Sequence, residues 1–270
     1  MDTFKPGSYL ARINHPGDIK LTEEGLRSLH RSQLFSIPFE NFDVLLKRPV
    51  LLDPGSLASK LVDRPRGGYC FELNGLFLHA LNHFGFTARA LLARVHLHGV
   101  HGARGHQLSL VTIGSRQWLA DVGFGGFNMR EPIPFEINRE AACDGQRLRI
   151  VRRQPYGTML QALSEDGWLD LYSFDLEHVG PADIKQGNYY SSTHPDSIFV
   201  VNRAAALSNE SGRVTLLNYT LRIVEADGFR VCDLPDDQRY LDALKSHFGI
   251  DLDAAYDQLP PLVSAEDDGK

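Results

Sequence analysis

Cysteine is scarce in this chain. Only Cys70, Cys143 and Cys232 occur in 270 residues, an odd number too small for a disulfide scaffold, so free thiols in a reducing compartment are expected. Long hydrophobic runs are missing too. No stretch approaches the roughly 20 apolar residues of a membrane span, and the opening MDTFKPGSYLARIN has no apolar run behind a basic stretch, so no secretory signal is expected. Together these point to the cytoplasm, without a membrane partner. Positive charge is also short: 28 Lys and Arg against 34 Asp and Glu leave a formal charge of -6, which argues against general nucleic-acid binding. There is no internal repeat, no low-complexity block and no G-x-x-x-x-G-K-[ST] phosphate loop.

What is present is an ordinary globular composition, 43% hydrophobic and 23% charged, and enough length for one large domain or two to three small ones packed together. The first third reads as helical. Thr22 can cap a helix running to about Phe35, and Asp53-Pro54 starts another that covers Ser56 to about Asp63. After Gly67-Gly68, apolar residues at Leu73, Leu76, Phe77, Ala80, Leu81 and Phe84 trace one helix face, and Gly85 ends it. The pattern then changes to strands at 87–95, 106–113, 116–122, 147–153, 157–163 and 167–174, separated by turn residues. Two more strands are expected at 197–203 and 213–224. A helix follows, started by Asp233 and Pro235, faced by Leu241, Leu244 and Phe248 and ended by Gly249. The tail from Ser264 is acidic and reads as frayed. Helices followed by runs of strands indicate an α+β fold.

Cys70 sits in Arg66-Gly67-Gly68-Tyr69-Cys70-Phe71-Glu72-Leu73-Asn74-Gly75, at or near the start of the third helix. A helix N-terminus offers free N–H groups and positive potential. Both favour a thiolate, the nucleophilic form, and the same N–H groups can hold a developing oxyanion. A buried inert cysteine is the competing reading. A thiolate nucleophile needs a base and a group to orient it. A hairpin turning at Gly114-Ser115 pairs Ile113 with Arg116. In that register His106 and Asp121 lie on one face as diagonal neighbours about 7–8 Å apart at Cα. An acid there fixes the tautomer and orientation of the imidazole. A one-residue slip would send the two to opposite faces. Taken singly, His106 reads as a strand-end histidine bonded to backbone and Asp121 as a turn former.

Three further segments carry weaker signals. His96, His98, His101 and His106 are close enough to raise a metal site, but 98–105 reads as a flexible loop and no cysteine pair stands near, so no metal is expected. Asp121-Val122-Gly123-Phe124-Gly125-Gly126-Phe127 is a glycine-rich loop where substrate or coenzyme can approach backbone, or a plain tight turn. In Ile37-Pro38-Phe39-Glu40-Asn41-Phe42, Glu40 can pair with Arg66 and brace the loop before Cys70. The alternative is a helix-ending turn with an exposed Glu.

RGGYCFELNGLF resembles the nucleophile motif of arylamine N-acetyltransferases. IPFENFD, DVGFGG, SSTHPDSIFVVNR and GRVTL extend the likeness over nearly the whole chain. The resemblance implies a Cys-His-Asp triad on Cys70, His106 and Asp121. It also implies three parts: a helical bundle (1–86), a central β-barrel (87–190) and an α/β lid (191–270), the first two forming a cysteine-protease-like core. Acetyl transfer from acetyl-coenzyme A to arylamines or hydrazines by a ping-pong route would follow. Phe39 and Phe124 would line the acyl or arylamine pocket, and Gly125 and Gly126 would border the coenzyme cleft. A cysteine hydrolase or transglutaminase, a macrolactam-forming amide synthase, and a ligand-binding barrel with a buried thiol are the alternatives.

Overall fold

A computed structural model describes residues 4–97 and 102–262. The acidic tail from Ser264, and His98 and His101 of the histidine-rich segment, lie outside the described residues. The N-terminal part contains α1 (Pro6–Arg12), α2 (Glu23–Ser36), the two-residue strand β1 (Phe39–Glu40), α3 (Phe42–Leu45), α4 (Pro54–Leu61) and α5 (Cys70–His83). The side chains of Thr22 and Asp53 cap α2 and α4 by accepting from the N–H groups of Gly25 and Ser56. The face of α5 marked by Leu73, Leu76, Phe77, Ala80 and Leu81 is fully buried.

Next come β2 (Thr87–Val95), β3 (His106–Ile113), β4 (Arg116–Ala120), β5 (Ile133–Pro134), β6 (Glu140–Cys143), β7 (Gln146–Arg153), β8 (Gly157–Ser164) and β9 (Gly167–Phe174). They form one antiparallel sheet in the order β5-β4-β3-β2-β9-β8-β7-β6 that curls into a nearly closed barrel. The β3–β4 hairpin serves two cores through the alternation of strand side chains. Leu108, Leu110 and Leu119 fill the barrel interior. Val111, Trp118 and Ala120 pack on the helices. This wedges the hairpin between barrel and helices, where α5 contacts β3.

The remainder contains α6 (Pro181–Thr193), α7 (Ile198–Val201), β10 (Ala204–Asn209), β11 (Gly212–Leu217), β12 (Thr220–Glu225), β13 (Gly228–Asp233) and α8 (Gln238–Phe248). A second antiparallel sheet runs β1-β10-β11-β12-β13. The N-terminal segment therefore supplies its edge, with Phe39 opposite Ala206. One face of this sheet, through Ala205, Leu216 and Leu221, buries Tyr240, Leu244 and Phe248 of α8. The whole is α+β.

The C-terminal third departs from the sequence expectation in three places. Residues 197–203 do not form a strand: Ser197 accepts from the Phe199 N–H and starts α7, and pairing begins only at Ala204. The single strand expected at 213–224 is a hairpin, because Asn218 takes a positive φ of 56° and turns the chain. The final helix starts at Gln238, capped by Asp237, because 228–233 is drawn into β13 instead. The expected strand 116–122 ends at Ala120, leaving Asp121 just past the ladder.

Candidate active site

Cys70 is the first residue of α5 and only 3% exposed. Two neighbours fix the turn that leads to it. A Cβ on Gly67 would stand 2.0 Å from the Pro38 carbonyl oxygen, so only glycine fits. The Glu72 carboxylate reaches back to accept from the Tyr69 N–H at 3.1 Å, closing the first turn. The sulfur lies 3.6 Å from the carbonyl oxygen of Gly105, the residue that precedes His106.

The β3–β4 ladder has the register of a two-residue turn, with Ile113 opposite Arg116 and Ser109 opposite Ala120. His106 and Asp121 consequently meet on the barrel-side face. His106 Nε2 donates to Asp121 Oδ2 at 2.7 Å, with both side chains almost fully buried. With Nε2 committed to Asp121, Nδ1 is the nitrogen left for Cys70, whose sulfur hydrogen-bonds the ring. The ring is packed by Phe124 (centroids 4.9 Å apart) and Tyr172 (5.1 Å). Burial works against charge on His106. The Asp121 carboxylate and then the Cys70 sulfur outweigh it and raise the imidazole to about 10. Burial likewise opposes charge on Asp121, but His106, Asn74 and the Gly123 N–H together hold its carboxyl below the usual range. The pair therefore stays ionised at neutral pH.

Two residues that the sequence reading did not single out hold Asp121. Asn74, one turn beyond Cys70 on α5, donates to Asp121 Oδ1 at 2.9 Å and to the Gln107 carbonyl at 2.6 Å. It also accepts from the Val122 N–H at 3.1 Å. The i, i+4 spacing of Cys70 and Asn74 was the available signal. His30, on α2, is completely buried and donates Nε2–H to the Asp121 carbonyl at 3.0 Å. Its Nδ1 has no partner among the described residues, and burial lowers the ring to about 4, so it is neutral. No local pattern pointed to it, since the bond spans ninety-one residues.

On the other side of Cys70 lies a second buried charge cluster. Arg66 donates Nε to Glu40 Oε1 at 2.7 Å and Nη2 to Asp43 Oδ1 at 2.8 Å. Glu40 Oε1 also accepts from the Gly67 N–H at 3.0 Å, which braces the loop before Cys70. Lys60 bridges Asp43 and Glu72, each at 2.7 Å. Burial opposes the charge on Arg66, but Glu40 and Asp43 raise its pKa. Three carboxylates share two buried cations, so one carboxyl is left short of compensation. That one is Glu72, where burial prevails over Lys60 and raises the pKa.

Phe39 is buried 6.0 Å from the Phe199 ring, and Phe199 in turn stands 5.4 Å from Tyr69. The glycine loop runs along this wall. A Cβ on Gly123 would lie 3.0 Å from Cys70 Cα and 2.6 Å from Asn74 Nδ2, so the loop touches the head of α5 only because that side chain is absent. Gly125 lies against Phe39, and Gly126 against Thr215 of β11. Of the histidine-rich segment, His96 is committed to Ser173 at 2.8 Å. Among the described residues no group of His, Cys, Asp and Glu is arranged to hold a metal ion.

The arrangement is a thiol against an imidazole that a carboxylate orients, at a helix N-terminus and beside an aromatic wall. A family model described as N-acetyltransferase matches residues 22–256. The chain is 36% identical over 235 residues to the arylamine N-acetyltransferase / N-hydroxyarylamine O-acetyltransferase of Salmonella typhimurium, covering 85% of this chain and 83% of that one. It is 35% identical over 269 residues to the arylamine N-acetyltransferase of Escherichia coli, covering 96% and 95%. Among solved structures, Mycobacterium marinum arylamine N-acetyltransferase in complex with CoA matches with a TM-score of 0.89 at 34% identity, over 94% of this chain and 97% of that one.

Proposed function

The chain belongs to the arylamine N-acetyltransferase family, and from that premise we propose that it moves an acetyl group from acetyl-coenzyme A to an arylamine or hydrazine through a covalent acetyl-Cys70 intermediate. The observation that carries this is the 2.7 Å His106–Asp121 bond with the second ring nitrogen turned to the buried sulfur.

At rest the sulfur is a thiolate and His106 an imidazolium, with Asp121 holding the ring. The thiolate attacks the thioester carbonyl carbon. The main-chain N–H groups of the first turn of α5 face the developing oxyanion. The carbon–sulfur bond to coenzyme A breaks, and the departing thiolate takes the His106 proton. One thioester replaces another, so the exchange is close to level. In the second half the neutral amine attacks acetyl-Cys70, and His106, now neutral, takes a proton from the nitrogen. The Cys70 sulfur leaves as thiolate, and the imidazolium–thiolate pair is restored. Arylamines suit this step because they are unprotonated near pH 7. Phe39, Phe124 and Phe199 would keep water from the intermediate.

The same reading assigns parts to roles: the helical region 1–86 carries the nucleophile, the barrel region 87–190 the base and its acid, and the lid region 191–270 the outer wall of the cleft. It places the enzyme in the cytoplasm. Hydrolase, transglutaminase and amide-synthase chemistry would use the same three residues, but the relatives' acetyl transfer favours the reaction given. The test is initial-rate kinetics with acetyl-coenzyme A and an arylamine varied together. Parallel double-reciprocal lines, with all turnover lost in Cys70→Ala, support the proposal. Intersecting lines, or turnover by Cys70→Ala, overturn it.

A further inference from the structure

Three consecutive residues, 39–41, serve three parts of the site. Phe39 belongs to the aromatic wall, Glu40 accepts from the Gly67 N–H before Cys70, and Asn41 reaches across to the C-terminal region. Asn41 is 2% exposed. Its Nδ2 donates to the Phe199 carbonyl at 2.8 Å and to the Asn202 carbonyl at 2.6 Å, and its Oδ1 accepts from the Ala204 N–H at 2.8 Å. Two acceptors at one end and a donor at the other allow a single orientation of the amide and occupy both of its N–H bonds.

The segment that Asn41 holds has little to hold itself. α7 is one turn of four residues, and none of them is buried. Ile198 is 48% exposed and Val201 50%. A single turn is marginal alone, and Ile and Val lose side-chain freedom in a helix and suit a strand better. The end of α7 also leaves carbonyls without an internal partner. The N–H that would close on the Phe199 carbonyl, that of Arg203, goes to Asn218 at 3.0 Å instead. Asn41 takes up both free carbonyls. Ser197 anchors the other end: its hydroxyl donates to the Ser191 carbonyl at 2.6 Å and accepts from the Phe199 N–H at 3.3 Å. This turn carries Phe199, whose ring stands 6.0 Å from Phe39 and 5.4 Å from Tyr69, the residue before Cys70.

We propose that Asn41 is a positioning residue for the second half of the reaction: by fixing α7 it keeps the Phe199 ring against Phe39 and Tyr69, and so sets how often water rather than amine discharges acetyl-Cys70. This rests on the acetyl-cysteine reading above. Both nucleophiles use the same base. Water attacks the acetyl carbon, the carbon–sulfur bond breaks, the sulfur leaves as thiolate, and His106 takes a proton as acetic acid is released. The triad does not choose between the two, so exclusion of water has to. In the first half the thiolate is already in place and no acetyl-enzyme stands exposed to water, so that half does not depend on Asn41. With its two carbonyls released, the segment is free to take the extended form its side chains favour, which carries Phe199 off the wall.

The test measures two things on each preparation: single-turnover acetylation of Cys70 by acetyl-coenzyme A, and the partition of the acetyl-enzyme between an arylamine and water. Asn41→Ala and Asn41→Asp are compared with the wild-type enzyme. The second keeps the size of the side chain and the bond from the Ala204 N–H, and loses only the two donors. In both variants the amine-to-water ratio should fall about tenfold, the worth of one net hydrogen bond, with the acetylation rate within about twofold of wild type. The ratio counts only enzyme that has been acetylated, so a loss of folded protein does not move it. Phe199→Ala should show the same fall, and adding Asn41→Ala to it should bring no further one. A ratio within about twofold of wild type in both Asn41 variants overturns the proposal. So does a double variant whose ratio falls by the product of the two single effects, which would make Asn41 act apart from Phe199. If the wild type forms no acetyl-Cys70, the acetyl-transfer reading fails and the proposal with it, an outcome distinct from an unmoved ratio.

Discussion

Cys70 stands between two buried charge networks that are closed to different degrees. Toward the N-terminal loops, Glu40, Asp43, Lys60, Arg66 and Glu72 interlock by bonds of 2.7 to 3.1 Å, and their free valences end on main-chain N–H groups. Toward the barrel, Asp121 is held by Asn74, Gly123 and His106. That chain ends on a ring nitrogen facing a sulfur, a contact that can be exchanged for a substrate's proton. The closed network can shape a loop but has no proton to spare. The open one has a single reactive end, and every other atom of Asp121 is fixed so that this end stays aimed. Burial alone does not separate the two, since Arg66 and His106 are almost equally hidden.

The sharpest way to break this contrast is to alter one member of each network. Asp121→Asn should leave the fold largely intact and cut kcat/KM by about ten-thousand-fold, the scale seen when an orienting acid is lost and the wrong tautomer is held; a loss under tenfold would remove the distinction. Arg66→Met strips the cation from Glu40 and Asp43, and should cost about 3–5 kcal/mol of unfolding free energy, read by urea melts. Its folded fraction should still be alkylated at Cys70 at near the wild-type rate.

Acid titration tells the two histidines of the open network apart. His30 has a folded value of about 4, below its unfolded value. The unfolded chain therefore binds the extra proton, and stability falls as pH drops from about 6.5 to about 4, by roughly 3 kcal/mol in total. His106 works in the other direction: raised to about 10, it contributes stability that is complete below about 6.5 and is lost as pH rises toward 10. Urea melts of His30→Gln should show the acid slope flattened and the alkaline slope unchanged; an unchanged acid slope would contradict the assignment. The smallest effect is expected from Asn74→Ala. It removes one of the two donors to Asp121 Oδ1, leaving the Gly123 N–H, and should lower kcat about tenfold with KM for the amine unmoved, about the worth of one hydrogen bond to a charged group.

Legibility from sequence follows how local each contact is. The Cys70 turn was readable because Gly67-Gly68 and the apolar face of α5 are consecutive. His106 and Asp121 were readable as a pair because a two-residue turn sets a register that arithmetic can follow to the strand end. The pairing of Glu40 with Arg66 was open between a buried brace and an exposed turn; the structure buries it. His30 was not readable, because its bond joins two elements that only packing brings together. The C-terminal region was misread at 197–203 and 213–224, where apolar β-branched runs fit helix and strand alike and the break at Asn218 carries no glycine or proline.

The account stands most directly on the state of one sulfur. Intact-protein mass spectrometry with peptide mapping, after addition of acetyl-coenzyme A without amine, should find one acetyl group on the Cys70 peptide that disappears when an arylamine is added and is absent in Asp121→Asn at equal times. An unmodified Cys70, or acetylation that an arylamine does not discharge, would contradict it.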